Sequence, residues 1–422
     1  MNQLEYAADN KVSPLVKRIA SVEGLPVKRL LSYIRDGRAV IPLNKKHRIS
    51  RPCGIGYGLR TKVNANIGAS PDKVNLKGEI EKLNTCVKYG ADTVMDLSVG
   101  GNLPEIRKEL LRACPLPFGT VPVYEMAVLA QDKRGDLFKF TPEDMLEVLQ
   151  RQAEEGVDFF TIHAGATKKS LSALKKHPRV MNIVSRGGAI LAGWMRRHKK
   201  ENPFYEFYDK ILDIAYKYDI TLSLGDALRP GSIFDASDSA QIAELKILGG
   251  LAMRARKRKV QVIIEGPGHV PLDQIEKNIL LEKKFCRGAP FYVLGPLVTD
   301  VAAGYDQISG AIGGALAAAY GADFLCYLTP SEHLRHPSLD DVREGVIASR
   351  IAAHAADLVK RNKIALGWDK EMSLARAKRN WKKQIRLSID PEKAERYRAS
   401  SLPSNLGVCT MCGKYCSIKL GG

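Results

Sequence analysis

No run of apolar residues in this chain approaches the ~20 that a helix needs to cross a bilayer. The opening residues, MNQLEYAADNKVSP, lack the basic-then-apolar plan of a secretory signal, so a cytoplasmic protein is expected. Low-complexity segments and repeats are missing as well, which excludes collagen-like, fibrous and disordered chains. Acidic residues are the scarcer charge: 46 Asp and Glu stand against 65 Lys and Arg, a net charge of +19. Such an excess suits nucleic acid, a membrane surface or an anionic small molecule. The basic runs Arg196–Lys200, Arg254–Lys259 and Arg376–Lys383 are dispersed, and none carries the aromatic interleaving that single-strand binding uses. No nucleic-acid partner and no membrane is therefore expected, and a phosphorylated substrate stays open.

Cysteine is also sparse. Five of the eight (Cys53, Cys86, Cys114, Cys286 and Cys326) are scattered singly, as buried or incidental thiols usually are. The other three, Cys409, Cys412 and Cys416, crowd into eight residues near the end. In a reducing compartment this pattern reads as metal or redox chemistry and not as a disulfide framework. Three thiolates can hold three corners of a cuboidal iron–sulfur cluster and leave one iron open. Zinc needs a fourth ligand, and no His follows in the tail, although one borrowed from elsewhere would serve.

With 422 residues, 45% hydrophobic and 26% charged, the chain is long enough for two or three globular domains. Eight short apolar runs recur: Thr93–Leu97, Gly119–Tyr124, Phe159–His163, Asn182–Ser185, Thr221–Gly225, Val260–Glu265, Phe291–Leu294 and Phe324–Leu328. Most are separated by helical patterns such as Glu143–Glu155, Tyr205–Tyr218 and Ser239–Arg256. This rhythm predicts an α/β fold, a (β/α)8 barrel over 90–335, with a doubly wound open sheet as competitor. Residues 1–89 are expected to form an N-terminal domain, 336–399 a helical segment and 400–422 a cluster-binding tail.

Polar groups collect at or just beyond the ends of these strands: Asp96 beside Met95, then Tyr124, His163, Ser185, Asp226, Arg229, Glu265, His269, Tyr292 and His333. In a barrel those ends meet at one face, where active sites form. His269 and His333, after the sixth and eighth strands, can share one divalent metal ion, zinc or iron. The turns Ser185-Arg186-Gly187 and Asp226-Ala-Leu-Arg229 offer backbone N–H groups and guanidinium for a phosphate. Two other classes fit parts of this pattern: a basic RNA-binding protein with a zinc tail, and a metal-dependent barrel hydrolase using His269 and His333.

The segments LRTKVNANIG, GADTVMDLS, PFGTVPVY, FFTIHAG, IVSRGG, LSLGDALRPGS, IEGPGHVPL, APFYVLGPLVTD, GADFLCYLTPSEHL and the terminal cysteine motif, in this order, resemble the phosphomethylpyrimidine synthase family of radical S-adenosylmethionine enzymes. The resemblance implies a 4Fe–4S cluster on Cys409, Cys412 and Cys416, with S-adenosylmethionine on the open iron. It implies 5-aminoimidazole ribotide as substrate, an electron donor, and a homodimer whose tail reaches the partner's active site. Substrate contacts carry over to Asn66, Met95, Tyr124, His163, Ser185, Arg186, Gly187, Asp226, Arg229, Glu265 and Tyr292, the catalytic work to Glu265, Asp226 and His163, and a metal to His269 and His333.

Three departures bear on the product. The family's usual turn glycine is Ala227, its P-G-Y-D-H stretch reads Ala303-Gly-Tyr-Asp-Gln307, and its I-G-N-S turn reads Ile67-Gly-Ala-Ser70. Loss of an imidazole at Gln307 and an added methyl at Ala227 favour 5-hydroxybenzimidazole as product, the sister reaction of the family. The alternative is 4-amino-5-hydroxymethyl-2-methylpyrimidine phosphate.

Overall fold

Strands buried on both faces read as short continuous apolar runs, and eight of them pair in parallel here. They are β1 (Lys62–Ile67), β2 (Thr93–Asp96), β3 (Phe118–Thr120), β4 (Phe159–Ile162), β5 (Thr221–Leu224), β6 (Val262–Gly266), β7 (Phe291–Leu294) and β8 (Phe324–Cys326). β8 pairs back onto β1, with Phe324 opposite Lys62 and Cys326 opposite Asn64, so the sheet closes into a (β/α)8 barrel. The open-sheet alternative is thereby excluded. This computed structural model describes residues 1–176, 178–403 and 406–421.

Large rings fill the barrel: Phe118, Phe159, Phe160, Phe291 and Phe324 are all fully buried. β3 has room for one of them only because residue 119 is glycine, since a Cβ there would lie 2.3 Å from the Phe159 ring. At the N-terminal ends of the strands, three aspartates tie neighbours together through backbone N–H groups. Asp92 accepts from Val63, Asp158 from Phe118 and Asn44, and Asp323 from Phe291. These bonds satisfy backbone donors that would otherwise be buried without partners.

Two expectations about the barrel are corrected. Its first strand is Lys62–Ile67, inside the stretch assigned to the N-terminal domain, so the barrel begins there and not at residue 90. The reason is chemical: Asn64 and Asn66 interrupt the strand with polar side chains, so it lacks the continuous apolar run that marks the others. Asn182–Ser185 is not a strand. Ser185 instead caps helix Arg186–His198, accepting from the Gly188 N–H at 3.2 Å.

Before the barrel, helices Gln3–Ala8, Pro14–Val22 and Val27–Arg35 pack on their own apolar cluster around Leu30 and Ile34. Compact packing divides the chain into Met1–Ala356 and the residues from Asp357 onward. In the second unit the helical segment expected up to residue 399 includes two separate helices, Lys363–Ala377 and Trp381–Leu387. The break falls where Arg379 takes a positive φ of 52° and Asn380 caps the next helix by accepting from Lys383 N. No described helix is long and apolar enough to cross a membrane.

Candidate active site

The C-terminal ends of the strands surround a cavity that opens at the barrel mouth. Eight of the residues singled out from sequence line it: Asn66, Met95, Tyr124, His163, Asp226, Arg229, Glu265 and Tyr292. Ser185, Arg186 and Gly187 do not, but they buttress it. The Arg186 guanidinium lies 5.0 Å from the centre of the Tyr124 ring, and Gly187 packs on the imidazole of His163.

The polar wall residues differ in how they are held. Glu265 Oε1 accepts from Thr161 Oγ1 at 2.8 Å and from Ser223 Oγ at 2.6 Å, on the two preceding strands. Burial raises its carboxyl above the usual range, opposed by those two hydroxyls. Asp226 accepts from Arg229 Nη1 at 3.2 Å, and its second oxygen, Oδ2, is buried without a partner. Burial pushes Asp226 up to about 7, with Arg229 opposing and Glu265 reinforcing the rise. His163 is buried, its Nδ1 also lacks a partner, and burial together with Arg229 pushes it down to about 3. The imidazole is therefore neutral at physiological pH. A buried, unpaired carboxyl oxygen and a neutral imidazole call for a ligand that brings its own hydrogen-bond donors, with the Arg229 guanidinium beside them to meet an anionic group.

The opposite wall is a hydrogen-bonded chain. Thr93 Oγ1 donates to Asn64 Oδ1, and Asn64 Nδ2 donates to Asn66 Oδ1 and to the Tyr292 hydroxyl at 2.8 and 2.7 Å. Asn66 Nδ2 approaches Cys326 Sγ at 3.1 Å. Cys326 lines the cavity, though in sequence it looked like an incidental thiol. Asn64, Thr161 and Ser223 were missed too; inward-facing polar residues on otherwise apolar strands were the available signal.

His269 and His333 face each other with ring centres 5.4 Å apart. His269 Nδ1 is held by Asp300 at 2.7 Å and His333 Nδ1 by Asp306 at 3.2 Å. Carboxylates on Nδ1 leave both Nε2 atoms to coordinate, which is the usual support for metal-binding imidazoles. Among the described residues no group of three or more His, Cys, Asp or Glu comes together as a metal site.

Ala227 and Gln307 are not where the product argument needed them. Ala227 is fully buried in a small cluster with Ala166, Leu228 and Ala240, and neither residue lines the cavity. Gln307 Nε2 points to Glu344 at 3.5 Å. The methyl and amide that were to steer the product are thus behind the wall.

In the second unit, the tail makes successive turns, with Gly413 N bonding to Cys409 O, Tyr415 N to Cys412 O and Cys416 N to Gly413 O. Backbone N–H groups of Cys412 and Met411 reach the Cys409 sulfur and hold its thiol below the usual range. A thiolate-favouring loop with three sulfurs fits an iron–sulfur cluster.

A closed barrel with buried ionisable groups around its mouth, in a chain that also carries a three-cysteine tail, defines the class: a small-molecule enzyme with metal–sulfur chemistry. Residues 2–421 match the Radical SAM ThiC family, and the chain belongs to it. It is therefore a radical S-adenosylmethionine enzyme, which implies a 4Fe–4S cluster and S-adenosylmethionine. The chain is 54% identical over 422 residues to the phosphomethylpyrimidine synthase of Desulforudis audaxviator, covering 100% of this chain and 98% of the other. It is equally close, at 54% over 422 residues with the same coverages, to the protein of that name from Moorella thermoacetica. A Thermoanaerobacter relative of the same name is 54% identical over 420 residues, covering 100% and 97%. These names speak for the pyrimidine product and lend none of their weight to 5-hydroxybenzimidazole.

Proposed function

We propose that this chain converts 5-aminoimidazole ribotide to 4-amino-5-hydroxymethyl-2-methylpyrimidine phosphate. The observation that carries this reading is the single cavity on which Asn66, Met95, Tyr124, His163, Asp226, Arg229, Glu265 and Tyr292 converge. Arg229 and the Ser185–Gly187 helix start supply charge and backbone donors for the ribotide phosphate. Neutral His163, its Nδ1 without a protein partner, exchanges a hydrogen bond with the ligand and stays uncharged. Asp226, balanced near neutrality, and Glu265, held by Thr161 and Ser223, are the acid–base pair for proton movements on the rearranging ring.

Cys409, Cys412 and Cys416 would hold the cluster, which when bound supplies the electron that cleaves S-adenosylmethionine to a 5′-deoxyadenosyl radical. His269 and His333 would hold a divalent metal, zinc or iron, through Nε2. A homodimer in the cytoplasm, with each tail serving the partner's barrel and an external electron donor, completes the proposal.

The test is anaerobic incubation of cluster-reconstituted protein with aminoimidazole ribotide, S-adenosylmethionine and reductant, followed by product identification. The pyrimidine phosphate is expected. Release of 5-hydroxybenzimidazole instead would replace the product while keeping the substrate, and turnover without S-adenosylmethionine would overturn the reading altogether.

A further inference from the structure

The Asp226–Arg229 turn is gripped from behind by two side chains, Glu244 and Arg179, that do not line the substrate cavity. Glu244, on helix Ser239–Lys257, is 2% exposed. Its Oε1 accepts from Ala227 N at 2.9 Å and its Oε2 from Leu228 N at 2.7 Å. From the other side Arg179 Nη2 donates to Leu228 O at 2.7 Å and Nη1 to Arg229 O at 3.3 Å. Arg179 is anchored in turn: its Nε and Nη2 bond both oxygens of Asp238, at 2.7 and 2.8 Å. Asp238 is also the cap of Glu244's own helix, accepting from Gln241 N. Next to Arg179, the N–H groups of Val180 and Met181 bond to the Asp235 carboxylate. One helix start thus holds the turn's N–H groups directly and its carbonyls through Arg179.

We propose that Glu244 and Arg179 are positioning residues that act on the substrate through the Asp226 carboxylate and the Arg229 guanidinium. Two consecutive backbone donors bound by one carboxylate leave the turn little freedom. Between them they set where Asp226 and Arg229, three residues apart and paired at 3.2 Å, point into the cavity. Placement of such groups matters steeply, since a displacement of about 1 Å can cost roughly a hundredfold. Glutamine at 244 presents an N–H to one of the turn's own N–H groups, donor against donor, and so opens the clamp with little change of volume. Neither residue was legible from motif spacing, because the contacts join positions 179, 227–229 and 244 only through the fold.

The inference rests on the ribotide assignment above, and the test separates the two. Full-length wild type, Glu244→Gln, Arg229→Ala and the double variant are titrated with aminoimidazole ribotide, and amide exchange at Ala227 and Leu228 is followed. Glu244→Gln should weaken ribotide binding roughly ten- to hundredfold, add little further loss in the Arg229→Ala background, and speed exchange at both amides. The KM for ribotide should rise while that for S-adenosylmethionine stays. Arg179→Lys, which keeps the charge but not the fork, should act in the same direction and decides the matter if Glu244→Gln does not fold. Unchanged ribotide affinity, or losses that simply add, overturns the clamp. A wild-type chain that does not bind ribotide overturns the substrate assignment, and amide exchange then decides the clamp alone: faster exchange supports it and unchanged exchange rejects it.

Discussion

Gly187 presses against His163: a Cβ added at residue 187 would lie 2.3 Å from His163 Cε1, and one at Gly225 would lie 3.0 Å from its Cδ2. The imidazole is held between a glycine in the first turn of helix Arg186–His198 and one just after β5, each small because the ring occupies the space. Gly187→Ala should therefore push the ring off its position. Overpacking of this kind costs ~1–3 kcal/mol, so thermal melting should show a lowered midpoint and titration a weaker ribotide complex. Wild-type values for both would mean the ring has room that this geometry does not provide.

Asp226 makes stability depend on pH in a defined direction. Its carboxyl is pushed up to about 7, chiefly by burial, whereas an unfolded aspartate titrates near ~3.9. Between those values the folded chain binds the extra proton, so stability is fully present below ~4 and is lost as pH rises toward about 7. Asp226→Asn removes that proton and should flatten the loss by up to ~1.4 kcal/mol per pH unit. Melting curves at about pH 5 and about pH 7.5 check it; an identical pH slope in the variant would show that Asp226 titrates normally. Glu244, raised to about 8 by burial, contributes in the same direction and remains in the variant.

The tail cysteines should be the reactive thiols of the iron-free protein. Cys409 is drawn below the usual range by backbone N–H groups, whereas burial raises Cys114 and Cys326 to about 12 and lifts Cys53, Cys86 and Cys286 as well. Brief alkylation near neutral pH should label the tail first, with Cys409 leading, and mass mapping reads the order. Cys412→Ala should abolish 5′-deoxyadenosine formation while the barrel still melts as in wild type, because two thiolates do not hold the cube with one open iron. Normal radical formation by that variant would falsify the role of the tail.

If the tail serves a partner's barrel, two defective chains should repair each other. Glu265→Ala disables the cavity and Cys412→Ala the tail, so a mixture that exchanges subunits carries one intact pairing of cavity and tail. Partial activity should return in the mixed dimer. Its absence after exchange has been verified by mass would assign each tail to its own chain.

How far the sequence could be read depended on where each signal lay. Seven of the eight barrel strands showed as apolar runs because both of their faces are covered. β1 did not, since Asn64 and Asn66 replace apolar residues on it to build one wall of the cavity. The helix start at Ser185 imitated a strand because the preceding Ile183 and Val184 are apolar. Motif-borne residues such as Asp226 and Glu265 could be placed from their strand ends. Their supports could not: Thr161 and Ser223 reach Glu265 across strands, and Glu244 and Arg179 reach the Asp226 turn from helix and loop. The product argument built on Ala227 and Gln307 failed for the same reason, because spacing does not say which side of a wall a side chain is on.

None of the three apolar clusters takes a residue from beyond Ala356. The part proposed to carry the redox chemistry thus contributes no described residue to those clusters. Oxygen that strips iron from the tail would leave a well-folded, silent protein, and the injury would be one of lost cargo. Repair then needs only iron, sulfide and reductant, with no new synthesis of the chain.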